Sequence, residues 1–343
     1  MTFELRVVAD SWRRRIDELV EATPGLVPVV KGNGYGLGRD LLAAEATRIG
    51  ADLIAVGSYS EVPGALAAFG GDVLVLSPWR PFLSEAVLDP RVVHTLGRVD
   101  DVAALAERAP GARILLEGRT SMLRHGLDRH ELAAAARAAE GLAVEGLSIH
   151  LPMEGGQLAE AQRWAGVLLA SQIASDRLFV SHLTPAELDE LRETRPQLSV
   201  RPRIGTRLWH GDGSELGVWA SVLDVHPVRR GDRVGYRQRA MPRDGHIVIV
   251  EGGTSHSVGL EAPRAVTGAK DRAKSLAYGV MEAAGLALAP FAIGGRRTWF
   301  AEPPHMQASM LFLPAGTTPP EVGEAVPVTV RHTIASFDAV RFV

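Results

Sequence analysis

Eight short apolar runs, most of them followed by a stretch with a helical pattern, constrain this chain more than any other feature. They are GLVPVVK (Gly25–Lys31), LIAVGS (Leu53–Ser58), VLVLS (Val73–Ser77), VVHTLG (Val92–Gly97), RILLEG (Arg113–Gly118), AVEGLSIH (Ala143–His150), RLFVSHL (Arg177–Leu183) and SVRPRIG (Ser199–Gly205). Successive starts lie about 19 to 34 residues apart, room for one strand and one helix per unit. Continuous apolar runs, rather than alternating ones, mark parallel strands buried on both faces. Between them, DSWRRRIDELVEA, GRDLLAAEATRIG, DVAALAERA, DRHELAAAARAAE, LAEAQRWAGVLLAS and TPAELDELRE are helix-compatible, with Asp100, Asp128 and Thr184 as caps. Eight β–α units predict a (β/α)8 barrel of the TIM type. A doubly wound open sheet is the rival; the count of eight and the lack of one dominant Gly-rich turn favour the barrel.

Past Gly211 the pattern changes. SVLDVHPVRRGDRVGYRQ, HIVIVEGG and AVPVTVRHTIASFDAVRFV look like antiparallel strands broken by turns. The expected organisation is a barrel over residues 1–211 and a mainly antiparallel β domain over 212–343. The early FELRVV segment fits as an added strand of the second domain. Ser257–Thr298 is Gly/Ala-rich and reads as a helix plus loops.

Composition narrows the function. Lys plus Arg is 37 and Asp plus Glu is 40, a net charge of −3. Such a chain has no general attraction for nucleic acid or for an anionic membrane surface. There are no cysteines, which excludes disulfides, a catalytic thiol, Cys-ligated zinc and iron–sulfur clusters. The opening MTFELRVVADSWRRR lacks the apolar core of a signal peptide, and Gly285–Gly295 is too short to span a bilayer. A soluble, cytoplasmic protein is expected.

In a barrel of this kind, active-site residues gather at the C-terminal ends of the strands. Lys31 ends the first run, Glu117 the fifth (with Arg124 shortly after) and His150 the sixth. His182 and Thr184 close the seventh, and Arg203 and Gly205 the eighth. Lys31 is the sharpest of these. A strand-end lysine commonly snorkels to solvent. One that is buried with a lowered pKa can instead form a Schiff base with a carbonyl cofactor such as pyridoxal phosphate. The loop GNGYGLG is not a dinucleotide fingerprint, because the required third glycine positions hold Leu37 and Arg39. No His/Asp/Glu cluster has metal-ligand spacing. His210 and His226, assigned to the β domain, read as structural.

These motifs carry a resemblance. VPVVKGNGYGLG is similar to the cofactor-lysine motif of the alanine racemases, which join a pyridoxal-phosphate barrel to a β domain. In the same order, RTSMLRHGL, LSIHLP, RPRIGTRLWHG, DRVGYRQ and HMQASMLFLP resemble further segments of that family. The resemblance implies Lys31 and Tyr236 as the two catalytic bases, with Tyr236 supplied by the partner subunit of a homodimer. It implies His150 and Arg203 as a supporting chain, with Arg203 facing the pyridine nitrogen. Tyr35, Thr184, Gly205 and Thr206 would hold the phosphate, and Arg124 and the Met306 backbone the substrate carboxylate. Glu117 falls where many members hold a carbamylated lysine. The implied activity is racemisation of a small amino acid such as alanine.

Four departures stand out. Arg119-Thr120-Ser121 replaces Asp-Thr-Gly, and His305-Met306-Gln307 replaces Cys-Met-Asp. Phe337 replaces a tyrosine, and VEGGTSHS lacks a gating tyrosine. They leave the substrate side chain open. A cofactor-binding paralogue without turnover stays open as well; a decarboxylase of the same architecture is disfavoured by Arg203 and by the missing cysteine.

Overall fold

The computed structural model describes residues 2–83, 88–260, 268–270, 272–273, 275–276, 279 and 287–343. The chain forms two compact units: Arg13–Asp212, and Met1–Trp12 together with Gly213–Val343. The first dozen residues therefore group with the second unit rather than with the barrel.

The chain begins with β1 (Phe3–Val7) and α1 (Ala9–Glu21). The barrel strands follow as β2 (Val27–Pro28), β3 (Leu53–Val56), β4 (Asp72–Val75), β5 (Val92–Leu96), β6 (Arg113–Gly118), β7 (Ala143–Ile149), β8 (Arg177–Val180) and β9 (Ser199–Ile204). All neighbouring pairs are parallel, in the order β2-β9-β8-β7-β6-β5-β4-β3. A parallel bridge between Val29 and Ala55 joins the first strand to β3 and closes the ring. The open sheet is thereby excluded. Every residue of β3 and β5 is buried, as two-faced burial inside a helix ring requires.

The connecting helices are α2 (Arg39–Arg48), α3 (Val62–Ala68), α4 (Val99–Arg108), α5 (Leu132–Ala138), α6 (Gln157–Ala170), α7 (Pro185–Thr194) and α8 (Thr206–Trp209). The short α3 and α8 had no counterpart among the helical patterns. Thr184 caps α7 with a reciprocal capping box, its hydroxyl accepting from the Glu187 amide. Asp100 instead lies inside the first turn of α4, whose cap is Arg98. Asp128 braces the turn before α5, accepting from the His130 amide at 3.1 Å.

The second unit contains β10 (Leu216–Val228), β11 (Arg233–Val234), β12 (Arg239–Ala240), β13 (Gly245–Glu251), β14 (Leu288–Ile293), β15 (Arg296–Phe300), β16 (Ala308–Pro314), β17 (Ala325–Val328) and β18 (Ala339–Phe342). Eight of its strands form one sheet, in the order β13-β16-β15-β14-β17-β10-β1-β18. Among the described residues of this sheet only β1 and β18 pair in parallel; β1 lies antiparallel to β10, with Phe3 opposite Ala220. Burial alternates along β14, as expected for a strand with one face on a core. The helix expected within Ser257–Thr298 lies partly outside the described residues; Leu288 onward is strand. Among the described residues, no helix is long and apolar enough to cross a membrane.

Candidate active site

The first strand of the barrel is short, and its end is built by hydrogen bonds rather than by a long ladder. Lys31 follows β2 directly. Glu61, at the start of α3, is buried and reaches back to this point. Its carboxylate accepts the Gly32 amide at 2.9 Å and the Gly57 amide at 2.7 Å, so it ties the ends of β2 and β3 together. Glu61 was not singled out in the sequence. A lone acid after a Ser-Tyr-Ser segment carries no visible signal until the fold places it.

Lys31 is solvent-reachable as a residue, not buried as its motif suggested. Even so, its amine lies below the ordinary lysine range. Partial desolvation is the main cause, followed by the positive charges of Arg124 and Arg203, with Glu61 opposing. The strand-end expectation thus holds in space: charged groups from β2, β6 and β9 sense one another at a single mouth.

Arg203, on β9, is buried. Its guanidinium donates to Ser148 Oγ at 2.8 Å and to the Ile149 carbonyl at 2.8 Å, both on β7. Desolvation lowers its pKa to about 10, with Glu117 pulling the other way. The expected His150–Arg203 chain is not a direct hydrogen bond. His150 Nδ1 instead lies 3.2 Å from the Ser181 hydroxyl, and its ring meets His182 edge-on at 5.0 Å. Desolvation, Arg203 and Arg124 depress the His150 pKa to about 3, so the ring is neutral at neutral pH.

Glu117 ends β6 fully inside the wall, and its Oε2 has no hydrogen-bond partner. Burial raises its pKa, while Arg203, Arg124 and Arg80 oppose that rise. The loop after it carries Arg124, which is exposed. This loop is fastened at four points. Leu127 N–H donates to the Glu117 carbonyl at 2.7 Å, and the Thr120 hydroxyl to the His150 carbonyl at 2.6 Å. Glu160 of α6 accepts both the amide and the hydroxyl of Ser121, each at 2.7 Å. Arg119 pairs with Asp128 at 2.8 Å. The departing Arg-Thr-Ser triplet is therefore employed in anchoring the loop of Arg124. Glu117, Arg124 and His150 line one small, tight cleft.

Tyr35 is buried and adopts a positive φ of 56°, a rare conformation for a non-glycine residue. A Cβ built on Gly205 would lie 2.0 Å from the Tyr35 hydroxyl oxygen, so only glycine fits there. His210 closes the same corner: its Nε2–H donates to the Tyr35 carbonyl at 2.7 Å, and its ring meets the Tyr35 ring edge-on. His210 belongs to the barrel, at the end of α8, and not to the β domain to which the sequence pattern assigned it. Gly205 and Thr206 start α8, while the Thr184 hydroxyl is engaged with Glu187.

The remaining candidates lie in the second unit. Tyr236 sits between β11 and β12 with its ring 85% exposed. It stacks at a tilt on His305, centroids 4.5 Å apart. Met306 is exposed, and its carbonyl accepts the Ser255 hydroxyl at 2.7 Å. Phe337 stacks on Phe3 at 5.7 Å. The segment VEGGTSHS thus supports the Met306 strand end.

Residues 7–175 match the family described as alanine racemase, N-terminal domain. An alanine racemase from Nitratidesulfovibrio vulgaris is 26% identical over 298 residues, covering 77% of this chain and 78% of the relative. A solved alanine racemase from Bartonella henselae with covalently bound pyridoxal phosphate superposes with a TM-score of 0.70 at 17% identity, over 97% of this chain and 91% of the other. A histidine racemase from Leuconostoc mesenteroides superposes with a TM-score of 0.67 at 18% identity, over 95% and 87%.

Proposed function

We infer that this chain, which resembles the alanine racemase family in sequence and fold, is a pyridoxal-phosphate-dependent amino-acid racemase acting on a small amino acid such as alanine. The observation that carries the proposal is the barrel mouth, where Lys31, with its lowered amine pKa, senses Arg203, Arg124 and Glu61.

The residues present suit the cofactor. Tyr35 and Gly205 form a corner in which the Tyr35 hydroxyl lies where a Cβ on residue 205 would be. Together with the amides at the start of α8, that corner suits a phosphate dianion. The buried Arg203 suits a neutral ring nitrogen, and Lys31 suits a carbonyl. When bound, the cofactor supplies an electron sink for the α-carbon.

The protein supplies the proton chemistry. A lowered lysine pKa keeps a larger neutral fraction of Lys31 able to take the α-proton on one face. Tyr236, contributed by the partner subunit of a homodimer, serves the other face. The guanidinium of Arg203, fixed by Ser148 and Ile149, would face the cofactor's ring nitrogen as a donor and so would leave that nitrogen unprotonated. Arg124 and the Met306 backbone hold the substrate carboxylate. Glu117 balances the positive charge around it without modification. Thr206 is retained as a phosphate donor; the capping bond of Thr184 competes with such a role.

The test is α-proton exchange in heavy water with purified holoenzyme and a panel of amino acids. Exchange with alanine that disappears in both Lys31→Ala and Tyr236→Phe supports the proposal. Bound cofactor without exchange for any amino acid overturns it in favour of a silent paralogue, and carbon dioxide release overturns it in favour of a decarboxylase.

A further inference from the structure

Glu302 is almost fully buried in the β unit, 5% exposed, and no motif drew attention to it. Both of its carboxylate oxygens are used. Oε1 accepts the His305 Nε2–H at 2.6 Å, and Oε2 accepts the backbone N–H of Tyr236 at 2.9 Å. One acid therefore grips the residue that carries the phenol and also the imidazole on which that phenol rests. The ring contact between Tyr236 and His305 completes the loop at 4.5 Å between centroids.

Three details show that this arrangement is built rather than incidental. Gly235 has φ +75°, and a Cβ there would lie 2.1 Å from Glu302 Oε2; only glycine lets the carboxylate reach the turn. Pro303 and Pro304 stand between Glu302 and His305, and their fixed φ angles restrict how the two can separate. The backbone of His305 is also held on both sides, its N–H by the Ala308 carbonyl at 2.9 Å and its carbonyl by the Thr254 N–H at 2.8 Å. An 85% exposed tyrosine would otherwise be free to change rotamer.

We propose that Glu302 and His305 are positioning residues that hold the Tyr236 phenol in one orientation for its proton transfer. The proposal rests on the base role inferred above for Tyr236. Neither residue is assigned contact with the substrate. His305 acts through the Tyr236 ring, and Glu302 through His305 and the Tyr236 backbone. Proton transfer is sensitive to placement: a shift of about 1 Å costs about a hundredfold in rate. A cysteine at position 305, as in the resembling family, would offer no flat ring to carry the phenol.

The experiment uses the full-length holoenzyme labelled with 3-fluorotyrosine, observed by fluorine NMR alongside kinetics. The chain has four tyrosines, and the Tyr236 signal is the one lost in Tyr236→Phe. In His305→Leu and in the milder Glu302→Gln, the Tyr236 signal should shift while those of Tyr35 and Tyr59 stay in place. Turnover should fall about tenfold or more. The primary deuterium isotope effect should rise for the enantiomer whose α-proton Tyr236 takes and fall for the other, with pyridoxal phosphate affinity unaltered. A Tyr236 signal unmoved in both variants overturns the proposal. So do isotope effects altered equally for both enantiomers, which mark a purely structural role. Absence of α-proton exchange in the unsubstituted enzyme would instead defeat the racemase reading, and the NMR signal would still decide whether the pair positions Tyr236.

Discussion

The hydroxyl oxygen of Tyr35 occupies the space that a side chain on Gly205 would need, 2.0 Å from the position of its Cβ. The two residues lie 170 positions apart in sequence, at the ends of the first and last barrel strands. Gly205→Ala should therefore force Tyr35 out of its corner. Pyridoxal phosphate affinity, followed by absorbance titration, should fall about tenfold or more, as expected for losing a charge-assisted hydrogen bond of about 1.5–3 kcal/mol. An alanine variant with unchanged affinity would remove this corner from the cofactor site.

Glu61 ties Gly32 to Gly57 and raises the Lys31 pKa against desolvation and two arginines. Glu61→Gln should lower the Lys31 pKa further. The pH dependence of acylation of the cofactor-free protein at Lys31, read by mass spectrometry, should shift to lower pH. Thermal stability should also drop, by about 1–3 kcal/mol, because one backbone donor is left facing an amide nitrogen. A shift toward higher pH would contradict the arrangement.

Glu117→Gln removes the carboxylate on which the charges of Arg203, Arg124 and Arg80 act. KM for the amino acid should rise about tenfold, the scale of a charge-assisted contact, while kcat changes less. Unaltered kinetics would show that Glu117 has no part in substrate binding.

His150 and the buried His94 are neutral in the fold, with pKa values of about 3 and about 4 against an ordinary 6.5. Desolvation is the leading cause for both. The unfolded chain binds their protons first as pH falls, so stability is full above pH 6.5 and declines below it, toward the folded values. Each site takes up at most one proton, a slope of about 1.4 kcal/mol per pH unit. His150→Gln should flatten the fall between pH 6 and 4.5 by one site's share, read from denaturant midpoints across pH. An identical slope would place the His150 titration elsewhere.

The barrel was legible because parallel strands buried on both faces leave continuous apolar runs, and eight of them can be counted. The strand-end rule then located Lys31, Glu117, His150 and Arg203 without any contact information. Groups that work by reaching across the fold were not legible. Glu61 and Glu160 are single acids at helix starts that reach Gly32 and Ser121, 29 and 39 residues away in sequence. His210 lies one residue before the change of pattern at Gly211 and was read with the β strands beyond it, whereas its hydrogen bond goes back to Tyr35. Tyr236 and Met306 are candidates through motif resemblance alone; their local sequence has no periodicity that marks a site. Glu302 stood unseen beside two prolines, since nothing in a sequence shows which amide a buried carboxylate will accept.

The pairing of β1 with β10 and β18 sets an order on synthesis. Phe3–Val7 leaves the ribosome before any of the barrel, yet its sheet neighbours begin at Leu216 and Ala339. Every barrel strand is made while β1 still lacks a partner. Contacts this distant in sequence close late and slowly. β1 therefore stays without its sheet neighbours while the whole barrel is made, and it depends on protection until β10 and β18 emerge.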